Sequence, residues 1–243
     1  MGRLRADSLL VARGLIDSRS RARAAIEAGG VFAAGRRVAK PSELLDEDIS
    51  LDVQPAHDFV GRGALKLLGA PGFAEASLDQ AVVLDLGAST GGFTEVCLRR
   101  GARLVYAVDV GREQLHSRLK GDPRVVNLEG RDARSLTSED LPEAPDLVVC
   151  DVSFISLAKL LPIPLSLART GALLFVLVKP QFEVGPGAVG KGGIVRDADA
   201  RAGALQQVID FLEGSGWTVL ASQDAVIAGA DGNQEYLVQA RKL

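Results

Sequence analysis

Residues 173–178 read Leu-Leu-Phe-Val-Leu-Val, six apolar residues without alternation, closed by Lys179 and Pro180. A continuous apolar run of that length predicts a strand buried on both faces, as in a parallel sheet covered by helices. Comparable runs recur along the chain: "AVVLDL" from Ala81, "RLVYAVD" up to Asp109, "VVNLEG" at 125–130 and "DLVVCDVSF" at 146–154. The intervals between them leave room for crossover helices, so the fold class is α/β, a Rossmann-like doubly wound sheet. After a helix near Asp197–Glu213, "WTVLASQDAVI" (217–227) and "QEYLVQARK" (234–242) read as an antiparallel hairpin, which brings the sheet to seven strands. A lysine closing the most apolar strand must be paired, snorkelling or functional.

Composition narrows the class. The apolar fraction is 47% with only 5% aromatic, and the net charge of −3 is weak ground for a nucleic-acid partner. The distribution of charge says more. Residues 1–42 hold nine Arg or Lys against three Asp or Glu, a net of +6. Two cysteines and two histidines make neither a disulfide framework nor a metal cluster, so no metal is expected and a reducing cytoplasm is the expected compartment. The N-terminal apolar run is too short for a signal peptide, and no stretch reaches membrane length.

The expected organisation is a small α+β module over 1–60, a linker over 61–80 that carries Lys66, and the sheet domain over 81–243. In the module, Leu9, Leu10 and Leu15 are the expected buried side of a first helix. Ser18 caps a second that stops at Gly29-Gly30, and "VFAAGRRVAKP" forms a hairpin turning at Gly35. With few carboxylates to offset them, Arg3, Arg5, Arg19, Arg21, Arg23, Arg36, Arg37 and Lys40 are candidate RNA phosphate contacts. The module resembles the S-four RNA-binding domain in Arg5, Asp7, Leu10, Gly14, "SRSRA" (18–22), Ile26, "GGV" (29–31), Gly35, Val38 and Pro41.

"DLGASTGGFT" (85–94) is the end of a buried strand at Asp85, a glycine-rich turn and the start of a helix. Ligands of doubly wound sheets collect at such strand ends. The turn reads G-x-x-x-G from Gly87 to Gly91, not the G-x-G-x-x-G of a pyrophosphate loop, and Asp109 lies 22 residues beyond Gly87, the interval at which an acid meets a ribose diol. This pattern and the terminal hairpin resemble the Rossmann-like methyltransferases, which implies S-adenosyl-L-methionine as cofactor. Asp85, Gly87, Ala88, Ser89, Gly91, Gly92, Phe93, Thr94, Asp109 and Val110 are the expected cofactor residues. By the same resemblance Asp132 and Ala133 flank the adenine.

The strand that ends in "DVSF" lacks the Asn/Asp-Pro-Pro-aromatic motif of amino-directed methyltransferases, and no Pro-Cys suggests pyrimidine C5 chemistry. Instead Lys66, Asp151, Lys179 and Glu235 resemble the Lys-Asp-Lys-Glu tetrad of FtsJ-like ribose 2′-O-methyltransferases. A desolvated lysine beside a second ammonium is a residue type that can act as base. Lys179 is the candidate, with Lys66 adding like charge and Asp151 and Glu235 orienting the amines. Over nearly its whole length the chain resembles the TlyA family, often labelled hemolysin A, in "GRGALKL" (61–67), "DLGASTGGFT", "CDVSFISL" (150–157), "KPQFEVG" (179–185), "VGKGGIVRD" (189–197) and "GNQEYL" (232–237). It departs at Gly61-Arg62-Gly63-Ala64, where the family commonly has Ser-Arg-Gly-Gly. The resemblance implies methylation of cytidine 2′-hydroxyls in 16S or 23S ribosomal RNA, with ribosomal RNA or subunits as partner. A non-catalytic RNA-binding protein and a membrane-active hemolysin are the alternative classes.

Overall fold

The computed structural model describes residues 2–27, 29–53, 58–190, 192–229 and 232–243. It divides into two compact units, 1–58 and 59–243.

The first unit pairs Arg3–Arg5 with Leu44–Asp46 and builds a three-stranded sheet from Arg36–Arg37, Val31–Ala33 and Leu51–Val53. Helices Ala6–Ala12 and Arg19–Glu27 complete a core of Leu9, Leu10, Ala22, Ile26, Val31 and Val38. Leu15 departs from expectation and is exposed, because the first helix ends at Ala12 and the chain has left the core face by then. Ser18 caps the second helix, its Oγ accepting from Arg21 N over 3.3 Å. The turn between Ala33 and Arg36 uses Gly35 at φ 77°, a left-handed conformation that favours glycine.

The second unit is a seven-stranded sheet. Its strands are β1 (Val82–Leu86), β2 (Leu104–Asp109), β3 (Val125–Glu129), β4 (Leu147–Cys150), β5 (Leu173–Val178), β6 (Trp217–Asp224) and β7 (Tyr236–Lys242). The order is β6-β7-β5-β4-β1-β2-β3, with β3-β2-β1-β4-β5 parallel and β7 inserted antiparallel between β5 and β6. The α/β expectation holds. The unbroken apolar runs are explained by the two faces: Val83, Val105, Val149, Phe175 and Leu177 enter one core, while Leu84, Tyr106, Val148, Leu174 and Val176 enter the other. A side-chain period of two demands apolar residues at every position when both faces are covered.

Three boundaries differ from the sequence reading. β4 ends at Cys150, so Asp151 begins the loop beyond the strand. Asp85 lies inside β1, not at its end. Residues 61–80 are no open linker: the helix Gly63–Leu68 buries Ala64 and Leu67 in the same core as Phe73 and Phe175, whose rings meet edge to face at 5.1 Å.

At the other end of the sheet, Lys242 donates from Nζ to the carbonyls of Leu165 (3.0 Å), Ser166 (3.1 Å) and Ala168 (2.6 Å). These close the helix Pro162–Leu167, whose last carbonyls have no partner within the helix. A cation there also meets the negative end of the helix dipole. Lys242→Met keeps the apolar stem and removes the cap. It is expected to lower unfolding free energy by about 1–2 kcal/mol, read from the urea midpoint, and an unchanged midpoint would show that water replaces the ammonium without loss.

Candidate active site

All the candidate chemistry of the second unit gathers at the C-terminal ends of the parallel strands. Gly87 follows β1 at φ 77°, and a Cβ on it would stand 2.6 Å from the Asp151 carbonyl oxygen. The loop therefore packs backbone on backbone against the chain beyond β4. Gly92 opens the helix Gly92–Arg99, where a Cβ would come within 3.1 Å of Ala64 N, so the Lys66-bearing helix seats directly on it. Ser89 takes φ 47° without being glycine, the kind of local strain that surrounding contacts must hold.

Asp109 ends β2. Its carboxylate accepts from Ser89 N at 2.8 Å and Gly111 N at 2.7 Å, which fixes the acid beside the glycine loop. A cleft of about 690 Å³ opens there, lined by Gly87, Ser89, Asp109, Val110, Asp132 and Ala133, and by Ile155 and Leu160. Asp132 caps the turn Ala133–Ser135 and holds the Arg134 guanidinium. Ala88, Gly92 and Phe93 line a neighbouring pocket beneath the loop. Asp85, Gly91 and Thr94 line neither. Asp85 is fully buried on the face of β1 covered by the helix, and its Oδ2 accepts from the Thr94 hydroxyl at 2.5 Å. Burial first, then the nearby Asp151 charge, push its pKa up to about 7 against the Thr94 bond. These residues shape the loop from below.

The four charged residues line one pocket of about 260 Å³. They stand as two ion pairs, Lys66 Nζ to Glu235 Oε2 at 2.5 Å and Lys179 Nζ to Asp151 Oδ1 at 2.6 Å. Each lysine is only 9% exposed and Glu235 2%. Lys66, expected to add like charge beside Lys179, is itself held by Glu235, one of the two carboxylates expected to orient the amines; desolvated charges persist only when paired. Of the four, Lys179 and Asp151 also line the pocket beneath the glycine loop.

Sequence reading missed Arg62, Ser153 and Phe154, which line the pocket of the four charged residues. Phe154 takes φ 67° and is 90% exposed, its ring 5.1 Å from that of Phe182. The signal lay in "DVSF" itself, read only for the motif it lacks.

In the first unit the candidate arginines divide. Asp7 is fully buried and takes Arg5 at 2.9 Å and Arg19 at 3.2 Å. The Arg5 bond, then that of Arg19, hold its carboxyl well below the usual range against burial. Arg3 pairs with Asp46, Arg21 with Asp17 and Arg36 with Glu43. The expectation of few offsetting carboxylates is corrected accordingly. Arg23, Arg37 and Lys40 are exposed and carry no side-chain ion pair among the described residues.

Residues 59–242 match the FtsJ-like methyltransferase family and residues 4–48 the S4 domain. The chain belongs to the FtsJ-like methyltransferase family. Within it, the 16S/23S rRNA (cytidine-2′-O)-methyltransferase TlyA of Mycobacterium tuberculosis is 44% identical over 241 residues, 98% of this chain and 90% of that one. Hemolysin A of Brachyspira hyodysenteriae is 38% identical over 237 residues, 96% of this chain and 98% of that one. A solved structure from Streptococcus thermophilus, under a provisional hemolysin name, aligns with all of this chain and 89% of its own at TM-score 0.78 and 38% identity. The chain is thus a TlyA-type member, a methyltransferase whose cofactor is S-adenosyl-L-methionine.

The residues present fit that cofactor. The cleft has the volume of a small-molecule site. It offers a fixed acid for a ribose diol in Asp109, apolar walls for a base in Val110, Ile155 and Leu160, and the Asp151 carboxylate for positive charge.

Asp85 gives this site a pH signature in the free protein. An unfolded aspartate ionises near about 3.9, whereas folded Asp85 keeps its proton up to about 7. The folded state binds the extra proton between those values, so this contribution to stability is full below the unfolded pKa and is lost as pH rises to neutrality. Asp85→Asn, which keeps an acceptor for Thr94, is expected to remove that decline in urea unfolding series at acid and neutral pH. Parallel declines in both proteins would assign the proton elsewhere.

Proposed function

We propose that this protein transfers the methyl group of S-adenosyl-L-methionine to a ribose 2′-hydroxyl, that of a cytidine in 16S or 23S ribosomal RNA, with Lys179 as general base. The observation that carries the reading is the position of Lys179, which lines both the pocket beneath the glycine loop and the pocket of the paired charges. A base must stand where donor and acceptor meet. The family and the TlyA relative support the substrate class.

The cofactor supplies a methyl already activated on a sulfonium. The protein supplies placement and a proton acceptor. Lys179 Nζ, as the neutral amine, takes the proton from O2′ while the oxygen–carbon bond forms and the carbon–sulfur pair stays on sulfur. Asp151 holds the resulting ammonium until solvent removes its proton. Lys66, fixed by Glu235, borders the same pocket as a cation suited to an RNA oxygen. Asp109 would hold the cofactor ribose, and Asp132 and Ala133 would border the adenine.

Lys179→Arg keeps the positive charge but cannot act as base at neutral pH. It is expected to bind cofactor and RNA as the native protein does and to lose about 10²-fold or more in turnover. The native rate should rise with pH through one ionisation and the variant's should not. Native turnover in Lys179→Arg would make the lysine a clamp and sink the assignment.

Residues 1–58 supply RNA affinity in this proposal, and the cytoplasm is the compartment where ribosomal RNA is met. Arg23, Arg37 and Lys40 are the phosphate contacts, because their charges are not taken up by carboxylates. Their joint replacement by Ala is expected to weaken RNA binding and flatten the log–log salt slope by about 2, with cofactor affinity unchanged. An unmoved slope would return them to ordinary surface residues. The hemolysin names of the relatives find no support in a spanning helix: none among the described residues is long and apolar enough to cross a membrane.

A further inference from the structure

Lys179 Nζ has one directional side-chain partner among the described residues, Ser153 Oγ, to which it donates over 2.9 Å. Asp151 Oδ1 stands closer, at 2.6 Å, yet outside hydrogen-bond geometry. The carboxylate therefore supplies charge, and the serine supplies direction. Ser153 also holds a singular place. It and Asp151 are the two described residues that line the cofactor cleft, the pocket beneath the glycine loop and the charged pocket alike.

The surroundings fix the serine relative to the lysine. Phe154, next in the chain, adopts φ 67°, a conformation that a bulky residue takes only when its neighbours impose it. Its ring packs at 5.1 Å on Phe182, three residues beyond Lys179. One aromatic contact thus links the Ser153 turn to the segment that follows the base.

We propose that Ser153 is a positioning residue that aims the Lys179 amine at the ribose hydroxyl, an inference that rests on Lys179 being the base. A neutral amine has four tetrahedral directions: its carbon, two hydrogens and one lone pair. Rotation about the Cε–Nζ bond decides where the lone pair points. A hydrogen donated to Ser153 stops that rotation. With Asp151 drawing the second hydrogen by charge, the remaining direction is left to the lone pair. Without the serine only the Asp151 charge restrains the amine, and the lone pair faces the acceptor oxygen a smaller share of the time. The other charged groups of the pocket, Lys66, Glu235 and Arg62, do not replace it: the first two are spent on each other, and a guanidinium accepts no hydrogen bond.

The test compares Ser153→Ala, Ser153→Thr and Lys179→Arg in methyl transfer from labelled S-adenosylmethionine to purified ribosomal subunits lacking the modification. Ser153→Ala is expected to lower kcat about 10-fold while KM for the subunits and cofactor affinity by calorimetry stay within about twofold, the pattern of lost aim rather than lost binding. Its rate–pH curve should keep a single rise but level off lower. Ser153→Thr, which restores the hydroxyl, should recover most of the rate. If Ser153→Ala keeps native kcat while Lys179→Arg is slow, the base stands and the positioning role falls. A loss confined to cofactor affinity would likewise overturn it, by placing the serine in the cleft alone. If Lys179→Arg turns over at the native rate, the base assignment fails, and the role of Ser153 with it.

Discussion

Two lysines and two carboxylates share one small pocket because each ammonium has an anion within ion-pairing distance. Moving a lone charge out of water into such a place is prohibitive, while a matched pair is tolerable. Lys66–Glu235 and Lys179–Asp151 meet this condition at 2.5 and 2.6 Å. The partners come from four separate parts of the chain, so the pocket exists only when β4, β5, the approach to β7 and the helix Gly63–Leu68 are all in register. Charge pairing and sheet assembly are therefore one requirement.

The sheet meets its side of that requirement by burying both faces. Apolar residues at successive positions of β1, β4 and β5 leave polar groups nowhere to go but the strand ends. Asp85 is the exception, an acid in mid-strand, and it persists by keeping its proton and taking the Thr94 hydroxyl. Asp109, one strand over, is held by two backbone amides at the rim, where its carboxylate borders the cleft. Similar residues on neighbouring strands thus divide into a support for the loop and a contact surface for a ligand.

In the first unit a single buried acid plays the organising part. Asp7 takes Arg5 and Arg19 as ion-pair partners while both side chains stay exposed, so two residues that read as a free basic surface have part of their charge committed to the unit's own structure. What is left for a polyanion is a smaller set, Arg23, Arg37 and Lys40. A count of charges along the chain does not make that distinction, because a salt bridge depends on which carboxylate folds beside which guanidinium.

The strands, the glycine turn, the terminal hairpin and the four charged residues were legible in the chain alone. The causes are local: apolar runs imply two buried faces, Gly87 marks a left-handed turn, and Asp109 keeps its interval from the loop. Pairing was not legible. Nothing in the order of residues says that Lys66 binds Glu235 rather than standing beside Lys179, or that 61–80 folds into the core. The place of Ser153 was not legible for the same reason: the amine 2.9 Å away and the three pockets it lines are brought to it by the fold. Backbone preference and burial pattern act between neighbours in sequence and can be read there. Ion pairs, lysine orientation and the exposure of Leu15 are settled by residues far apart in the chain, and only the folded chain brings those together.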